Sequence, residues 1–230
     1  MLNFNKIVVY DFETDSPNPN ICNPVQLAAI VVNPRTLEII PDSEFRSYMR
    51  PPTIDENDYI EKHKDTIEWH TKVNSCKVED VIKLWKNAPL EKDVFNDFKE
   101  YLLRYHTRTS RKNKFSAPIR AGHNIIKFDN IIMQRLAERY NSLDNEGAMD
   151  LFNPRDQIDA ILLSFLFFEN LEEPKRYSMD ELRSYLGMSS KGAHSANQDV
   201  LDTANLIIRF MRLSRRVAEK TTFKNAFKKK

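Results

Sequence analysis

Apolar runs near the start of the chain predict β-strands joined by short turns. Residues 6–10 read Lys-Ile-Val-Val-Tyr and residues 25–32 read Val-Gln-Leu-Ala-Ala-Ile-Val-Val, and β-branched runs of this kind are typical of buried strands. An Asn-Pro pair follows the second run and marks a turn. A third strand is predicted over residues 37–49, with an interruption at Pro41. Three consecutive strands with short connections predict an antiparallel meander.

In the rest of the chain, apolar residues recur at helical spacing, except in one short predicted strand. Residues 53–105 are predicted to be helical, and residues 119–122 read as a short buried strand. Further helices are predicted over residues 130–140, 156–168, 178–186 and 196–213. The core anchors expected in the first helical region are Trp69, Trp85, Phe95, Phe98 and Leu102. Strands followed by alternating strands and helices favour a mixed sheet flanked by helices.

The length and the charge distribution predict one domain with a basic end. The chain has 230 residues, which suits a single α/β domain over residues 1–213. Its net charge is +2, but residues 209–230 hold nine Lys or Arg and one Glu, so the remainder is acidic. A flexible basic tail is predicted over residues 214–230. It indicates either a polyanionic partner or a frayed, solubilising chain end.

Several classes of protein lose support because their motifs are absent from the sequence. There is no G-x-x-x-x-G-K-[ST] and no G-x-G-x-x-G sequence, which argues against nucleotide-triphosphate and dinucleotide binding. There is no apolar run of membrane-spanning length and no signal-peptide pattern. The two cysteines form no zinc motif. We therefore expect a cytoplasmic protein without a membrane partner.

A pair of carboxylates ends the first predicted strand. Asp11 and Glu13 are separated by one residue, so strand alternation places both side chains on one face. Two carboxylates this close repel each other unless a cation lies between them, and hard oxygen ligands favour Mg²⁺ or Mn²⁺. The alternative interpretation is an acidic strand end that only forms a turn.

A second acidic position follows the short strand at residues 119–122. The segment from Asn124 to Asp129 is predicted to lead from that strand into a helix, with Phe128 packing inward. Asp129 would then approach the ends of the strands. Because a carboxylate in the first turn also suits the helix dipole, simple capping is the alternative explanation.

A histidine and a carboxylate surround a predicted helix start near residue 195. Ser195 and Gln198 match the S-x-x-Q capping box. His194 therefore precedes the helix, whereas Asp199 lies one turn inside it. This arrangement suits a histidine that moves toward a water molecule and a rigid carboxylate that binds a metal ion. A helix cap with an incidental histidine remains the alternative.

Taken together, these three segments resemble the motifs of the DEDDh family of 3′→5′ exonucleases, in the same order. The heptapeptide at residues 24–30 resembles the nuclease domain of bacterial exonuclease I proteins, and residues 66–69 resemble phage exonuclease A proteins. The similarity covers about residues 5–213, and it implies a location in the cytoplasm of a bacterial host if the protein is phage-encoded. One departure is that Asp15 and Ser16 follow the first motif, where many members of the family have a glycine shortly after it.

The resemblance implies an RNase H-like α/β fold with a mixed five-stranded sheet flanked by helices. It also implies two Mg²⁺ or Mn²⁺ ions bound by the four carboxylates, with His194 as the general base. The implied catalytic residues are Asp11, Glu13, Asp129, His194 and Asp199. The implied substrate-binding residues are Phe12, Thr14 and Asn124. For Phe12, a position in the hydrophobic core is the alternative to a wedge against a base.

The implied activity is release of nucleoside 5′-monophosphates from the 3′ end of single-stranded DNA. Basic residues over 104–114, with Arg120 and the tail, would follow the nucleic-acid backbone, and a solvated loop is the alternative for this cluster. An exoribonuclease, a proofreading subunit bound to a polymerase or another replication protein, and a binding protein without turnover remain alternatives. DNA is expected in preference to RNA, and the protein is expected to be a monomer.

Overall fold

Six β-strands form one mixed sheet in the computed structural model, which describes residues 5–107, 114–147, 149–189 and 196–224. The strands are β1 (Ile7–Thr14), β2 (Pro24–Asn33), β3 (Glu38–Ile39), β4 (Phe45–Tyr48), β5 (Ile119–Gly122) and β6 (Gln157–Asp159). Their order is β3-β2-β1-β5-β6, and β4 also pairs with β2. β1 is antiparallel to β2 and parallel to β5, which is parallel to β6.

The mixed α/β sheet is therefore confirmed, but it has six strands rather than five. The predicted third strand over residues 37–49 is two strands, β3 and β4, both antiparallel to β2. The chain turns between them at Asp42, which has a φ of 54°. Ser43 holds this turn because its Oγ donates to the Ile40 carbonyl at 2.6 Å and accepts from Val31 N at 3.1 Å. The interruption expected at Pro41 thus divides the strand completely.

Eight helices lie within the described residues. They are α1 (Tyr59–Lys62), α2 (Lys64–Asn74), α3 (Val78–Lys86), α4 (Glu91–Leu103), α5 (Asp129–Arg139), α6 (Ala160–Phe168), α7 (Met179–Leu186) and α8 (Ala196–Lys220). The helix predicted over 156–168 begins later than expected, because residues 157–159 pair with β5 as β6. α8 continues beyond residue 213, since no glycine or proline interrupts it before Lys220. The single-domain organisation and the flexible tail stay predictions.

The sheet separates two hydrophobic cores. Tyr10 and Phe12 of β1 face one core, which they share with α4 and α5. Ile7 and Val9 face the other core, which they share with α8. Because side chains alternate along a strand, Asp11 and Glu13 continue the face of Ile7 and Val9. The two carboxylates therefore lie on the side of the sheet that α8 covers.

A smaller hydrophobic cluster joins α1, α2 and α3 to the start of β2. Trp85 is buried there, as predicted, and the three predicted anchors in α4 are also buried. The prediction of a core position for Trp69 is wrong, because its side chain is 40% exposed. The adjacent His70 occupies the buried side of α2 instead, edge-on to Trp85 at 5.1 Å between ring centroids.

Across the described residues, no helix is both long enough and apolar enough to cross a membrane.

Candidate metal centre

Three carboxylates meet at the end of β1. Asp11 and Glu13 come from β1, and Asp199 comes from the first turn of α8. One oxygen from each of them lies within 4.8 Å of the others, and all three side chains are partly buried. In the pairing of β1 with β2, Asp11 lies opposite Ala28, which is fully buried in the core on the α8 side of the sheet.

Asp129 approaches the same cluster from α5. It is the first residue of that helix and is 2% exposed. Its Oδ1 accepts a hydrogen bond from Phe12 N at 2.9 Å, which anchors the carboxyl group to the backbone between Asp11 and Glu13. The second motif is thus brought beside the first, although Asp129 is not one of the three carboxylates whose oxygens converge.

The carboxyl groups in this cluster raise one another's pKa. Burial and then the charges of Asp129, Glu13 and Asp199 raise the pKa of Asp11 well above its ordinary value. Burial and the charges of Asp199 and Asp129 raise the pKa of Glu13 to about 8. Burial also raises the pKa of Asp129, against the lowering effect of the Phe12 hydrogen bond. The hard oxygen donors of the cluster fit a divalent cation such as Mg²⁺ or Mn²⁺.

Arg183 of α7 connects the cluster to the rest of the α8 face, and the sequence analysis did not identify it. Its guanidinium donates to Asp199 Oδ1 through Nη2, to Asp202 Oδ2 through Nε at 2.7 Å, and to Asp180 Oδ1 through Nη1 at 3.1 Å. Arg183 is 2% exposed. Partners of this kind orient a metal-binding carboxylate. Its charge also lowers the pKa of Asp11.

Asp159 organises the loop that carries the second motif. Its carboxylate accepts hydrogen bonds from three backbone amides, those of Asn124 at 3.0 Å, Ile126 at 3.2 Å and Ile161 at 2.9 Å. It therefore caps α6 and holds Asn124 in a left-handed conformation with a φ of 59°. Asn124 is placed in the turn before α5, and its substrate contact stays a prediction. An aspartate between an apolar strand and an apolar helix was the available sequence signal for Asp159.

Asp15, which follows the first motif, anchors α1 to the end of β1. Its carboxylate accepts from Asn23 N at 2.8 Å, from Asn23 Nδ2 at 2.8 Å and from the Tyr59 hydroxyl at 2.9 Å. His63 Nδ1 donates to the Asp15 carbonyl at 2.9 Å, and His70 Nε2 donates to the Thr14 carbonyl at 3.1 Å. These contacts fix α1 and α2 beside the carboxylate cluster.

A cavity of about 630 Å³ lies between the end of β1 and α1–α2. Glu13, Thr14, His63, Trp69 and Phe128 are among the residues that line it. This volume is in the range of small-molecule sites. Because Glu13 belongs to both features, the cavity opens directly onto the carboxylate cluster.

Two predicted substrate contacts have specific local environments. The Thr14 hydroxyl donates to the Ser16 carbonyl at 2.8 Å. Phe12 is 4% exposed and lies edge-on to Tyr10, with 6.0 Å between ring centroids. The core interpretation of Phe12 therefore accounts for its packing, and the base-wedge role stays a prediction.

Some predicted features fall outside the described residues. His194 and the Ser195 cap lie there, as do the basic positions at 108–113 and the end of the tail at 225–230. Lys114, at the edge of the predicted basic loop, is paired with Asp144 at 2.8 Å and with Glu146 at 3.0 Å. It is therefore engaged by acidic side chains of the protein.

The fold is similar to that of exonuclease I. No protein-family model matches this chain, and no curated protein does. Escherichia coli exonuclease I in complex with a dT13 oligonucleotide matches with a TM-score of 0.65 and 14% identity, over 94% of this chain and 43% of that one. The zinc ion-bound form of the same enzyme's complex with single-stranded DNA matches with a TM-score of 0.61 and 14% identity, over 93% and 42% of the two chains.

A different nuclease has a related fold. Cell-death related nuclease 4 matches with a TM-score of 0.56 and 15% identity, over 92% of this chain and 65% of that one. The chain thus spans less than half the length of the exonuclease I chains and less than two thirds of this nuclease. At these identities the similarity defines an exonuclease I-like α/β fold, as the sequence motifs predicted.

Proposed function

We propose that this protein is a metal-dependent 3′→5′ exonuclease that releases nucleoside 5′-monophosphates from single-stranded DNA. The observation that carries the proposal is the convergence of Asp11, Glu13 and Asp199, with oxygens within 4.8 Å of one another. A fold similar to that of exonuclease I supports the same reaction class. Fold similarity alone would be insufficient, since one fold hosts many activities.

Two Mg²⁺ or Mn²⁺ ions are the cofactors that suit this donor set. Asp11, Glu13 and Asp199 would hold them, with Asp129 contributing from α5. Bound ions of this type supply neutralisation of phosphate charge and acidification of a water molecule. Arg183 would keep one oxygen of Asp199 occupied, and thereby direct the rest of that carboxylate toward the ions.

The chain's own residues would bind the terminal nucleotide and move a proton. The cavity beside Glu13 would receive the 3′-terminal nucleotide, and its Trp69 side chain offers an aromatic surface to a base. His194 would accept the proton of the attacking water, a role that suits a group titrating near neutrality. Water then attacks the terminal phosphorus, the bond to the 3′ oxygen of the preceding nucleotide breaks, and a 5′-monophosphate leaves.

A single strand suits the cavity better than a duplex. A terminal nucleotide can enter such a site only when its base is free to leave its pair and stack on apolar side chains. The exonuclease I structures with a similar fold contain a dT13 oligonucleotide in one case and single-stranded DNA in another. Both observations favour single-stranded DNA as the substrate.

The test compares the wild type with Asp199→Asn on 5′-labelled single-stranded DNA and RNA of one sequence, in Mg²⁺ and in EDTA. We expect a ladder that shortens from the 3′ end, faster on DNA, and that disappears in EDTA and in the variant. Asp97→Asn is the matched control, because Asp97 is an exposed carboxylate on α4, across the sheet from the cluster. A faster ladder on RNA would instead identify an exoribonuclease, and no ladder on either strand would overturn the proposal.

A further inference from the structure

The face of the sheet that carries Asp11 and Glu13 continues across β2 to β4. In the antiparallel pairing, Glu13 lies opposite Gln26, and Gln26 lies opposite Tyr48. In the next row, Asp11 lies opposite Ala28, and Ala28 lies opposite Arg46. Directly opposed residues share a face. Since neighbouring strands are about 4.8 Å apart, Tyr48 and Arg46 stand roughly 10 Å from the carboxylates along this surface.

A groove follows these two rows. A cavity of about 340 Å³ is bounded by Gln26 and Tyr48 on the sheet side and by α2 and α3 on the other, and it shares Glu13 with the 630 Å³ cavity. A further cavity of about 700 Å³ shares Arg46 and Tyr48 with it and reaches Lys83. Because consecutive cavities share lining residues, they lie side by side from the carboxylate cluster to the edge of the sheet, and this row of cavities is called the groove below.

Gln26 provides the observation that indicates a ligand in this groove. Its side chain is 5% exposed, and its Nε2 has no hydrogen-bond partner in the part of the chain that the structure describes. Buried donors without an acceptor are rare in folded proteins because they lose their hydration without compensation. Gln26 is one of the residues that line the groove, as is Glu13, so an acceptor on a ligand that reaches the buried Nε2 would satisfy it.

Arg46 and Tyr48 add a positive charge and an aromatic surface. The Arg46 guanidinium carbon lies 5.7 Å from the centroid of the Tyr48 ring, and Nη2 is 3.4 Å from the Tyr48 hydroxyl. Among the described residues, Arg46 forms no salt bridge with an acidic side chain, and it is exposed. Asp80 also lines the groove, but its carboxylate accepts from Lys77 N at 3.2 Å and caps α3.

We propose that this groove binds the nucleotides that precede the 3′-terminal one in a single-stranded substrate. Gln26 would donate to a base carbonyl or a phosphate oxygen, Tyr48 with Arg46 would stack against a base, and Arg46 with Lys83 would neutralise phosphates. Stacking surfaces combined with cations are the usual means of binding single strands without sequence preference. This inference rests on the proposed function, and it assigns the strand a path across β2 and β4.

Binding of 5′-fluorescein-labelled dT8 in EDTA tests the groove without turnover. Tyr48→Leu is expected to weaken binding by roughly 5- to 150-fold, the range for one lost stacking contact. Arg46→Gln is expected to weaken binding and to reduce the slope of log affinity against log salt by about 0.7. Lys92→Gln is the matched control, since Lys92 is exposed on α4, across the sheet from the groove, and it should change neither value. Equal affinities for wild type, Tyr48→Leu and Arg46→Gln would overturn the proposal.

Gln26→Leu separates a binding role from a structural one. Removing an unpaired buried donor should leave the midpoint of thermal unfolding unchanged or raise it, while the affinity for dT8 falls by about 2- to 13-fold. A lower unfolding midpoint with unchanged affinity would show that Gln26 serves the fold instead, and would overturn its assignment.

Turnover on oligonucleotides of different length distinguishes failure of this inference from failure of the proposed function. The wild-type kcat/KM is expected to rise from dT2 to dT4, and the Arg46→Gln/Tyr48→Leu double variant should lose most of that rise through KM. A wild type that hydrolyses none of these oligonucleotides would overturn the proposed function. Turnover with the same length dependence in both proteins would overturn the groove alone.

Discussion

Two groups of carboxylates lie close together in this protein, and their surroundings are opposite. Asp15 and Asp159 each accept three hydrogen bonds from donors that the chain itself supplies. Asp11 and Glu13 lie only a few residues before Asp15, but they face each other and Asp199. The first group is satisfied by hydrogen bonds within the fold, whereas in the second group burial and the neighbouring carboxylates raise the pKa of Asp11 and Glu13.

This difference in hydrogen bonding separates structural carboxylates, which hold the loops around the site in place, from carboxylates that are available to bind a cation. Burial of a charge is tolerated when hydrogen-bond donors or a partner charge compensate it. Around Asp15 and Asp159 that compensation is internal, and it fixes α1 and the loop before α5. Around Asp11 and Glu13, within the described part of the chain, the nearby Arg183 is shared among Asp180, Asp199 and Asp202. We infer that a bound cation completes the second group.

The largest predicted effect comes from removing one charge of the acidic cluster. Asp11→Asn should reduce turnover by more than the 10- to 100-fold that is typical for loss of a residue behind a metal ligand. At pH 8 without metal, the same change should raise the midpoint of thermal unfolding, because it removes repulsion with Glu13 and Asp199. Nuclease assays and thermal unfolding measure the two effects. A less stable metal-free Asp11→Asn protein would contradict the comparison.

The next largest effect is expected from changing Arg183, the positively charged side chain paired with Asp199. Arg183→Met should weaken Mn²⁺ binding by about 10- to 100-fold, because Asp199 loses the donor that orients it. Simple charge repulsion predicts the reverse, since removal of a neighbouring positive charge would tighten binding. Mn²⁺ titration followed by electron paramagnetic resonance decides between the two results. Arg183→Lys, which keeps the charge with fewer donors, should fall between the wild type and Arg183→Met.

Removing a structural carboxylate should have the opposite stability effect to Asp11→Asn. Asp159 accepts hydrogen bonds from three backbone amides, and in Asp159→Asn one of its two oxygens becomes an NH₂ group, which cannot accept them. The change should therefore reduce the free energy of unfolding by about 1–3 kcal/mol. Urea denaturation of the metal-free protein measures this change. If Asp159→Asn were as stable as the wild type, Asp159 could not be the anchor of the Asn124 loop.

The last prediction is a pH dependence of stability without metal. A carboxyl group whose pKa rises on folding binds more protons in the folded state, so stability falls as pH rises from the unfolded pKa to the folded one. For Glu13 this window runs from its ordinary value of 4.5 to about 8. The unfolding midpoint of the metal-free protein should therefore decrease between about pH 5 and pH 8.

Two controls isolate the cluster as the source of that dependence. Glu13→Gln should flatten the decrease, and Mg²⁺ should abolish it by favouring the ionised carboxylates. Thermal unfolding at a series of pH values, with and without Mg²⁺, provides the measurement. A decrease of the same size in Glu13→Gln would assign the pH dependence to other groups.

The local signals in the sequence were sufficient for β1, β5 and the positions of the three acidic motifs. Strand alternation placed Asp11 and Glu13 on one face, and the helix start near residue 196 brought Asp199 one turn inside α8. The resemblance to the DEDDh family matches the observed exonuclease I-like fold. The roles of individual site residues, including His194, stay predictions.

Other features depend on contacts between distant segments and were not available from the sequence. Arg183 acts through Asp199 and Asp202, which are 16 and 19 positions further along the chain. Trp69 and His70 are adjacent aromatic residues on α2, and the contacts of His70 with Trp85 and with the Thr14 carbonyl place His70 on the buried side. β6 is three residues long, which is too short for its pattern to be distinguished from the first turn of a helix.

Direct measurement of metal binding tests the central claim that the acidic cluster is completed by cations. Isothermal titration calorimetry with Mn²⁺ should give two bound ions per wild-type chain and a clear loss of binding in both Glu13→Gln and Asp199→Asn, with Asp97→Asn unchanged. Binding that is the same in the wild type, Glu13→Gln and Asp199→Asn would contradict the account, because the ions would then be held elsewhere.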